Sequence, residues 1–195
     1  MSGPVTNILI VGVGGQGTLL ASRVLARAVI STGADVKVSE VHGMSQRGGS
    51  VVTQVRFGKE VFSPLIETGA ADAILAFEKL EALRWLPYLK EGGRLIINDL
   101  AIDPLPVLVG TAKYPEDCID QARAATSKVD VLNATDLAGA IGEQRAANMV
   151  LLGALSCYLD IADQHWIAAI TETVPAKARE MNIKAFEAGR AASKK

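Results

Sequence analysis

The chain is most constrained by a short apolar run that ends in glycines. Ile8-Leu9-Ile10-Val11 passes directly into Gly12-Val13-Gly14-Gly15-Gln16-Gly17, and a long amphipathic stretch follows. A brief, β-branched run stopped by glycine reads as a buried strand, here Asn7 to Val11. From Gly15 to about Thr32 the spacing predicts a helix. Leu20, Val24 and Ala28 form one stripe with Leu25 and Val29 beside it, and Arg23 and Arg27 lie on another. Gly33 is placed to cap its C-terminus. Val36 to Glu40 is the next strand. Strand, glycine turn, helix and strand make a βαβ unit, whose two strands are expected to be parallel neighbours joined by a right-handed crossover. Ligands of open α/β sheets gather where strands end. That directs attention to the loop after each of these two strands.

Downstream, Ser50 to Phe57 alternates. Val51, Thr53, Val55 and Phe57 share one face, while Ser50, Gln54 and Arg56 share the other, with Val52 the exception. The pattern predicts a strand with one face exposed or at an interface. Gly58-Lys59 fits a tight turn into Val61-Phe62, giving a hairpin, and Ser63-Pro64 ends it. Ala71–Phe77 and Arg94–Asn98 read as buried strands, with a short helix over Glu78–Leu86 limited by Pro87. Val107–Val109 reads as a short strand, Pro115–Ala125 as a helix, Val129–Leu132 as a strand and Thr135–Ile141 as a helix. The remainder is helical: Gln144–Asp160, Asp163–Thr173, and Pro175 to about Ala192. The expected class is α/β: a Rossmann-like three-layer α/β/α domain with a mixed, mainly parallel sheet and a helical C-terminal part over about 144–192. One domain is expected to span 1–195.

Several functions are disfavoured by composition. Lys plus Arg number 20 against 21 Asp plus Glu, so no electrostatic case exists for nucleic acid. No run approaches the ~20 apolar residues of a membrane span. Met1-Ser2-Gly3-Pro4 carries no basic leader, and a cytoplasmic location is expected. The two cysteines, Cys118 and Cys157, form no CxxC. Neither a zinc site nor an iron–sulfur cluster can be built from this chain's cysteines alone, and two buried thiols are expected. Serine-triad spacing, HExxH and a phosphate-binding Walker loop are all missing.

Gly12-x-Gly14-x-x-Gly17 fits the dinucleotide fingerprint. Its glycines permit a tight turn and close approach of a phosphate to helix N–H groups, and Glu40 stands where a ribose-binding acid is expected. The plainer alternative is that the glycines only let the helix pack on the sheet, with Gln16 lining a site that holds no nucleotide. The second loop is denser in chemistry. His42-Gly43-Met44-Ser45-Gln46-Arg47-Gly48-Gly49-Ser50 combines an imidazole, a guanidinium, hydroxyls and glycines. Gly48-Gly49 can turn successive N–H groups toward an anion. Arg47 can grip a carboxylate or phosphate through paired hydrogen bonds, and His42 can donate, accept or transfer a proton near neutrality. A surface loop with a solvated arginine is its plain alternative. In Gln144–Asp160, the small residues Ala146, Ala147, Gly153, Ala154 and Ser156 surround Asn148. They fit either a core helix with a satisfied asparagine or a subunit contact.

These segments together resemble a known family. Gly14-Gly15-Gln16-Gly17 after the first strand, Arg47-Gly48-Gly49-Ser50-Val51 before another, and Ser63-Pro64 are similar to the gamma-type domain of the pyruvate/2-oxoacid:ferredoxin oxidoreductases. Ser39 to Val51 looks most like the beta subunits of the indolepyruvate ferredoxin oxidoreductase branch. Pyruvate-type relatives usually carry Tyr-Gly in place of His42-Gly43. Ala147-Asn148-x-x-x-Leu152-Gly153-Ala154 matches as well, and the likeness runs from about Asn7 to Pro175.

The resemblance implies oxidative decarboxylation of an aryl 2-oxo acid to an acyl-CoA, with electrons passed to ferredoxin. It puts thiamine diphosphate, Mg2+ and [4Fe-4S] clusters on a larger partner subunit, with coenzyme A as co-substrate. This chain would then be the smaller subunit, inactive alone and holding no metal; whether it forms a homodimer when isolated stays open. On that basis His42 and Arg47 are the catalytic candidates. Gln46, Arg47, Gly48, Gly49 and Ser50 are the substrate- or CoA-binding candidates. Gly12, Gly14, Gly15, Gln16 and Gly17 form a supporting loop. A dinucleotide-binding Rossmann oxidoreductase and a non-catalytic assembly module of the same fold are the alternatives.

Overall fold

The computed structural model describes residues 4–42 and 48–193, with the backbone but not the side chain of His42. Six strands form one sheet: β1 (Thr6–Val13), β2 (Asp35–His42), β3 (Ser50–Gly58), β4 (Ala71–Ala76), β5 (Leu89–Asn98) and β6 (Val129–Leu132). Their order is β2-β3-β1-β4-β5-β6. β1, β4, β5 and β6 are mutually parallel, while β3 runs antiparallel to both β1 and β2.

The expected βαβ neighbours are therefore separated. β3 lies between β1 and β2, with Ile8 opposite Val55 and Val55 opposite Val38. The connection 43–49 is shorter than the dozen or so residues a parallel crossover needs, so β3 must return beside β2 in the opposite direction. The polar face of β3 is not open to solvent. Gln54 is buried and its Oε1 accepts the Ile66 N–H at 2.6 Å. Arg56 donates to the carbonyls of Ser63 and Leu65 at 2.8 and 2.9 Å. These side chains draw the segment after β3 back across the sheet, which replaces the expected Gly58 hairpin. Val61 is tied instead to β2, its N–H donating to Asp35 Oδ2 at 2.9 Å.

Eight helices are described: α1 (Thr18–Ile30), α2 (Lys79–Trp85), α3 (Leu105–Leu108), α4 (Cys118–Ala125), α5 (Ala134–Ile141), α6 (Ala147–Ser156), α7 (Asp163–Thr173) and α8 (Arg179–Ser193). α3 occupies the stretch expected to be a short strand. Pro106 sits in its first turn, where a missing N–H is harmless, and Leu108 and Val109 stay exposed rather than joining the sheet. α6 is shorter than expected. Gln144–Ala146 is a 3-10 turn before it, and the helix stops at Ser156. Just beyond, the Tyr158 ring lies under the Arg94 guanidinium at 3.6 Å.

The helices form a layer on each side of the sheet. Ile8, Ile10, Leu75 and Ile96 pack against Val24 and Leu25 of α1, Met149 and Leu152 of α6, Trp166 of α7 and Phe186 of α8. On the opposite face Leu9, Val11, Ile74 and Ile97 pack against Ala82 of α2, Ala122 of α4 and Ile66. The small residues of α6 serve a contact inside the chain. A Cβ on Gly153 would lie 2.0 Å from the Phe186 carbonyl oxygen, and one on Gly189 would lie 1.8 Å from that of Val150. α6 and α8 thus meet backbone to backbone.

Candidate functional site

α1 leaves β1 on one face of the sheet and α2 leaves β4 on the other, so the chain diverges at the carboxyl ends of these adjacent parallel strands. Such a divergence opens a crevice where α/β proteins bind ligands. Here Gln16 spans it. Its Oε1 accepts the Val13 N–H at 2.7 Å, and its Nε2 donates to the Phe77 carbonyl at 2.9 Å. Asn98, at the end of β5, donates to the same carbonyl at 3.2 Å, donates to Thr135 Oγ1 at 3.2 Å, and accepts the Ala134 N–H at 3.0 Å. Two amide side chains therefore stitch together the ends of β1, β4 and β5 and the start of α5.

The glycines of the first loop follow from this arrangement. A Cβ on Gly12 would lie 2.8 Å from Gln16 Oε1 and 2.9 Å from Phe77 Cβ. Gly17 has φ +85, and a Cβ there would lie 2.6 Å from Asn148 Nδ2, which donates to the Gly17 carbonyl at 3.3 Å. Side-chain clearance explains both positions without a nucleotide.

The two loops read from the sequence meet. Gly14 N–H donates to the Gly49 carbonyl at 2.8 Å, and Gly48 N–H donates to the Gly14 carbonyl at 3.3 Å. Gly48 has φ +75, as a turn toward an anion requires. Ser50 begins β3, and its hydroxyl donates to Glu81 Oε2 at 2.5 Å. Of the other candidates, Gln46 and Arg47 lie outside the described residues, as does the His42 side chain; the His42 backbone pairs with Val51. Beside the joined loops is a cleft of about 350 Å³, lined by Gly14, Gly15, Thr18, Glu40, Val51 and Thr53. Glu40 is exposed at its edge.

A second cleft of about 440 Å³ opens on the other side of Gln16, and the sequence reading did not anticipate it. Gly17, Asn98, Thr135, Arg145 and Asn148 line it, at the N-terminal ends of α1, α5 and α6. Helix N-termini present N–H groups and positive partial charge. Arg145 is exposed there and makes no ion pair among the described residues. The cleft is thus equipped for an anion. Arg145 stands three positions before Asn148, the one polar residue singled out in that helix, and that proximity was the available signal.

Behind the first cleft lies a buried acidic group, also unforeseen. Glu78 caps α2: Oε2 accepts the Glu81 N–H at 2.9 Å, while Oε1 accepts the Ile102 N–H at 3.1 Å and the Tyr114 hydroxyl. Burial, reinforced by the Glu78 carboxylate, raises the Tyr114 phenol far above its ordinary range, so it remains a donor. Burial also pushes the Glu81 carboxyl up, opposed by the Ser50 hydroxyl and by Arg84. Burial, and then Glu78, pushes the Cys118 thiol up.

Among the described residues no three His, Cys, Asp or Glu side chains stand close enough to hold a metal ion. Cys118 is on α4 and Cys157 follows α6, on opposite faces of the sheet. A four-thiolate cluster does not fit this chain. No described helix is long and apolar enough to cross a membrane.

A sequence profile described as pyruvate ferredoxin/flavodoxin oxidoreductase matches residues 7–192. The chain belongs to that family. Among its relatives, the indolepyruvate oxidoreductase subunit IorB of Archaeoglobus fulgidus is 42% identical over 94% of this chain and 92% of its own. The subunit of the same name from Thermococcus kodakarensis is 41% identical over 96% of each chain. In three dimensions, the gamma subunit of a keto/oxoacid ferredoxin oxidoreductase from Geobacter sulfurreducens superposes with a TM-score of 0.72 at 26% identity, covering 96% of this chain and 98% of the other. The oxidoreductase family thus accounts for the mixed sheet and both helical layers. Within it, the glycine fingerprint is filled by Gln16.

Proposed function

We propose that this chain is the smaller subunit of a 2-oxoacid:ferredoxin oxidoreductase acting on indolepyruvate or related aryl pyruvates. The observation that carries the proposal is the 42% identity to an indolepyruvate oxidoreductase subunit across nearly the whole of both chains. The reaction takes an aryl 2-oxo acid, coenzyme A and oxidised ferredoxin to acyl-CoA, CO2 and reduced ferredoxin. Thiamine diphosphate with Mg2+, bound by a larger partner subunit, supplies the decarboxylation chemistry, and that subunit's [4Fe-4S] clusters carry the electrons. Residues 1–195 act as one gamma-type domain in the cytoplasm, inactive until the partner docks.

In this reading the carboxyl edge of the sheet binds and orients. Arg47 and the N–H groups of Gly48 and Gly49 hold a carboxylate or a coenzyme A phosphate, and His42 and Gln46 order that contact. The neighbouring cleft supports the same role, because Arg145 and converging helix N-termini suit phosphate oxygens. Gly12 to Gly17 hold the two loops in place. The glycine fingerprint does not itself call for a nicotinamide or flavin dinucleotide, since side-chain clearance around Gln16 and Asn148 accounts for Gly12 and Gly17.

Co-expression with the larger subunit, followed by assay of ferredoxin reduction, tests the proposal. Indolepyruvate should be the preferred acid and the isolated chain should be inactive. Preference for pyruvate or 2-oxoglutarate, or fluorescence-detected NADH binding by the isolated chain, would overturn it. Arg47→Ala in the complex should raise the KM for coenzyme A.

A further inference from the structure

We propose that Glu81 is a positioning residue: its buried carboxylate fixes the Ser50 hydroxyl and so holds the Gly48–Gly49 turn against Gly14 at the mouth of the first cleft. The inference rests on the reading of that cleft given under the proposed function.

Glu81 is 3% exposed, in the first turn of α2. Its two oxygens are divided between two elements. One accepts the Ser50 hydroxyl at 2.5 Å, and the other accepts the Arg84 guanidinium one turn along α2. The bond to Ser50 spans 31 positions of sequence. It is therefore no local cap. The local cap of α2 is Glu78, whose Oε2 takes the Glu81 N–H. With the helix end already closed, the side chain of Glu81 is left for another use, and that use is the first residue of β3.

Ser50 adjoins the two glycines that pair with the first loop. Gly49 is held through its carbonyl by Gly14 N–H, and Gly48 through its N–H by the Gly14 carbonyl. Glycines impose no side-chain restraint on their own dihedrals, so the path of this turn depends on its ends. On one side the restraint is the backbone of Gly14. On the other it is Ser50, whose backbone lies in register opposite Val13 and whose side chain is held by Glu81. Arg84, bonded to the other oxygen, fixes the direction of the carboxyl group. A displacement of the turn by a fraction of an ångström would misplace any group bound at the cleft, and such errors act on binding and orientation more than on folding.

The test uses the assembled enzyme. Ser50→Ala removes the donor, Glu81→Met removes the acceptor at similar volume, and Ser50→Thr and Glu81→Gln each retain the bond. KM for coenzyme A, kcat with indolepyruvate and the melting temperature are measured for all four and for the Ser50→Ala/Glu81→Met double variant. Ser50→Ala and Glu81→Met should each raise KM roughly tenfold with little change in kcat, the double variant should be no worse than the worse single, and the conservative pair should recover near-native KM. A fall in melting temperature with KM unchanged would overturn the proposal, as would additive effects. Arg47→Ala separates this failure from that of the functional reading. If Arg47→Ala raises KM while Ser50→Ala and Glu81→Met do not, only the positioning role falls. If none of the three variants moves KM, the cleft itself is not the coenzyme A site.

Discussion

Gln16 is the residue on which the carboxyl edge closes. Its amide satisfies one backbone donor at the end of β1 and one backbone acceptor just beyond β4. Replacing it by alanine leaves the Val13 N–H without its partner, while the Phe77 carbonyl keeps Asn98, at a cost of about 1–3 kcal/mol. Urea denaturation of Gln16→Ala should show that loss, and an unchanged midpoint would refute the bridging role. Gly12→Ala should destabilise for the complementary reason, because its methyl would press on Gln16 and Phe77. The glycine positions could be read from the sequence, since a strand stopped by glycine demands a turn. Their reason could not. The same pattern serves a nucleotide or a side chain, and only the direction of the Gln16 amide separates the two.

At the scale of elements, two contacts invite measurement. Gly153 and Gly189 let α6 and α8 touch through backbone atoms. Gly153→Ala should force them apart and destabilise the chain by about 3 kcal/mol, while Ala191→Ser at an exposed position of α8 should be nearly silent. α2 carries one pH-sensitive group. Burial lifts the Glu81 carboxyl above its unfolded value of about 4.3, so the folded state holds that proton more tightly. Its contribution to stability is therefore greatest at low pH. It declines as pH rises from the unfolded value through the raised folded one, and is constant above that. Denaturation curves across the mildly acid range should show a shallower decline in Glu81→Gln than in the parent. Equal slopes would exclude Glu81 as the titrating group. Most elements were readable from apolar periodicity, and α7 and β6 fall where it put them. β3 itself falls where its alternation puts it, but β2 is not the neighbour of β1, because periodicity reports faces rather than neighbours and the short connection 43–49 returns β3 between them. α3 was misassigned because Val107-Leu108-Val109 has β-branched residues but no sheet edge to join.

Across the whole molecule, chemistry is gathered at one edge. The paired glycine loops, both clefts and the Glu78–Tyr114 group all lie at or behind the carboxyl ends of β1, β4 and β5. The family was within reach of the sequence because its motifs are contiguous. The second cleft was not, because Asn98, Thr135 and Arg145 come from three separate segments and converge only when the sheet is built.

One bond at that edge can be watched directly. The Phe77 carbonyl accepts hydrogen bonds from both Gln16 and Asn98, so its stretching frequency should be low and its carbon strongly deshielded. Labelling phenylalanine with 13C at the carbonyl would turn Phe77 into an internal reporter. Any ligand that draws either amide away would move a single resonance, without a dye or an engineered probe.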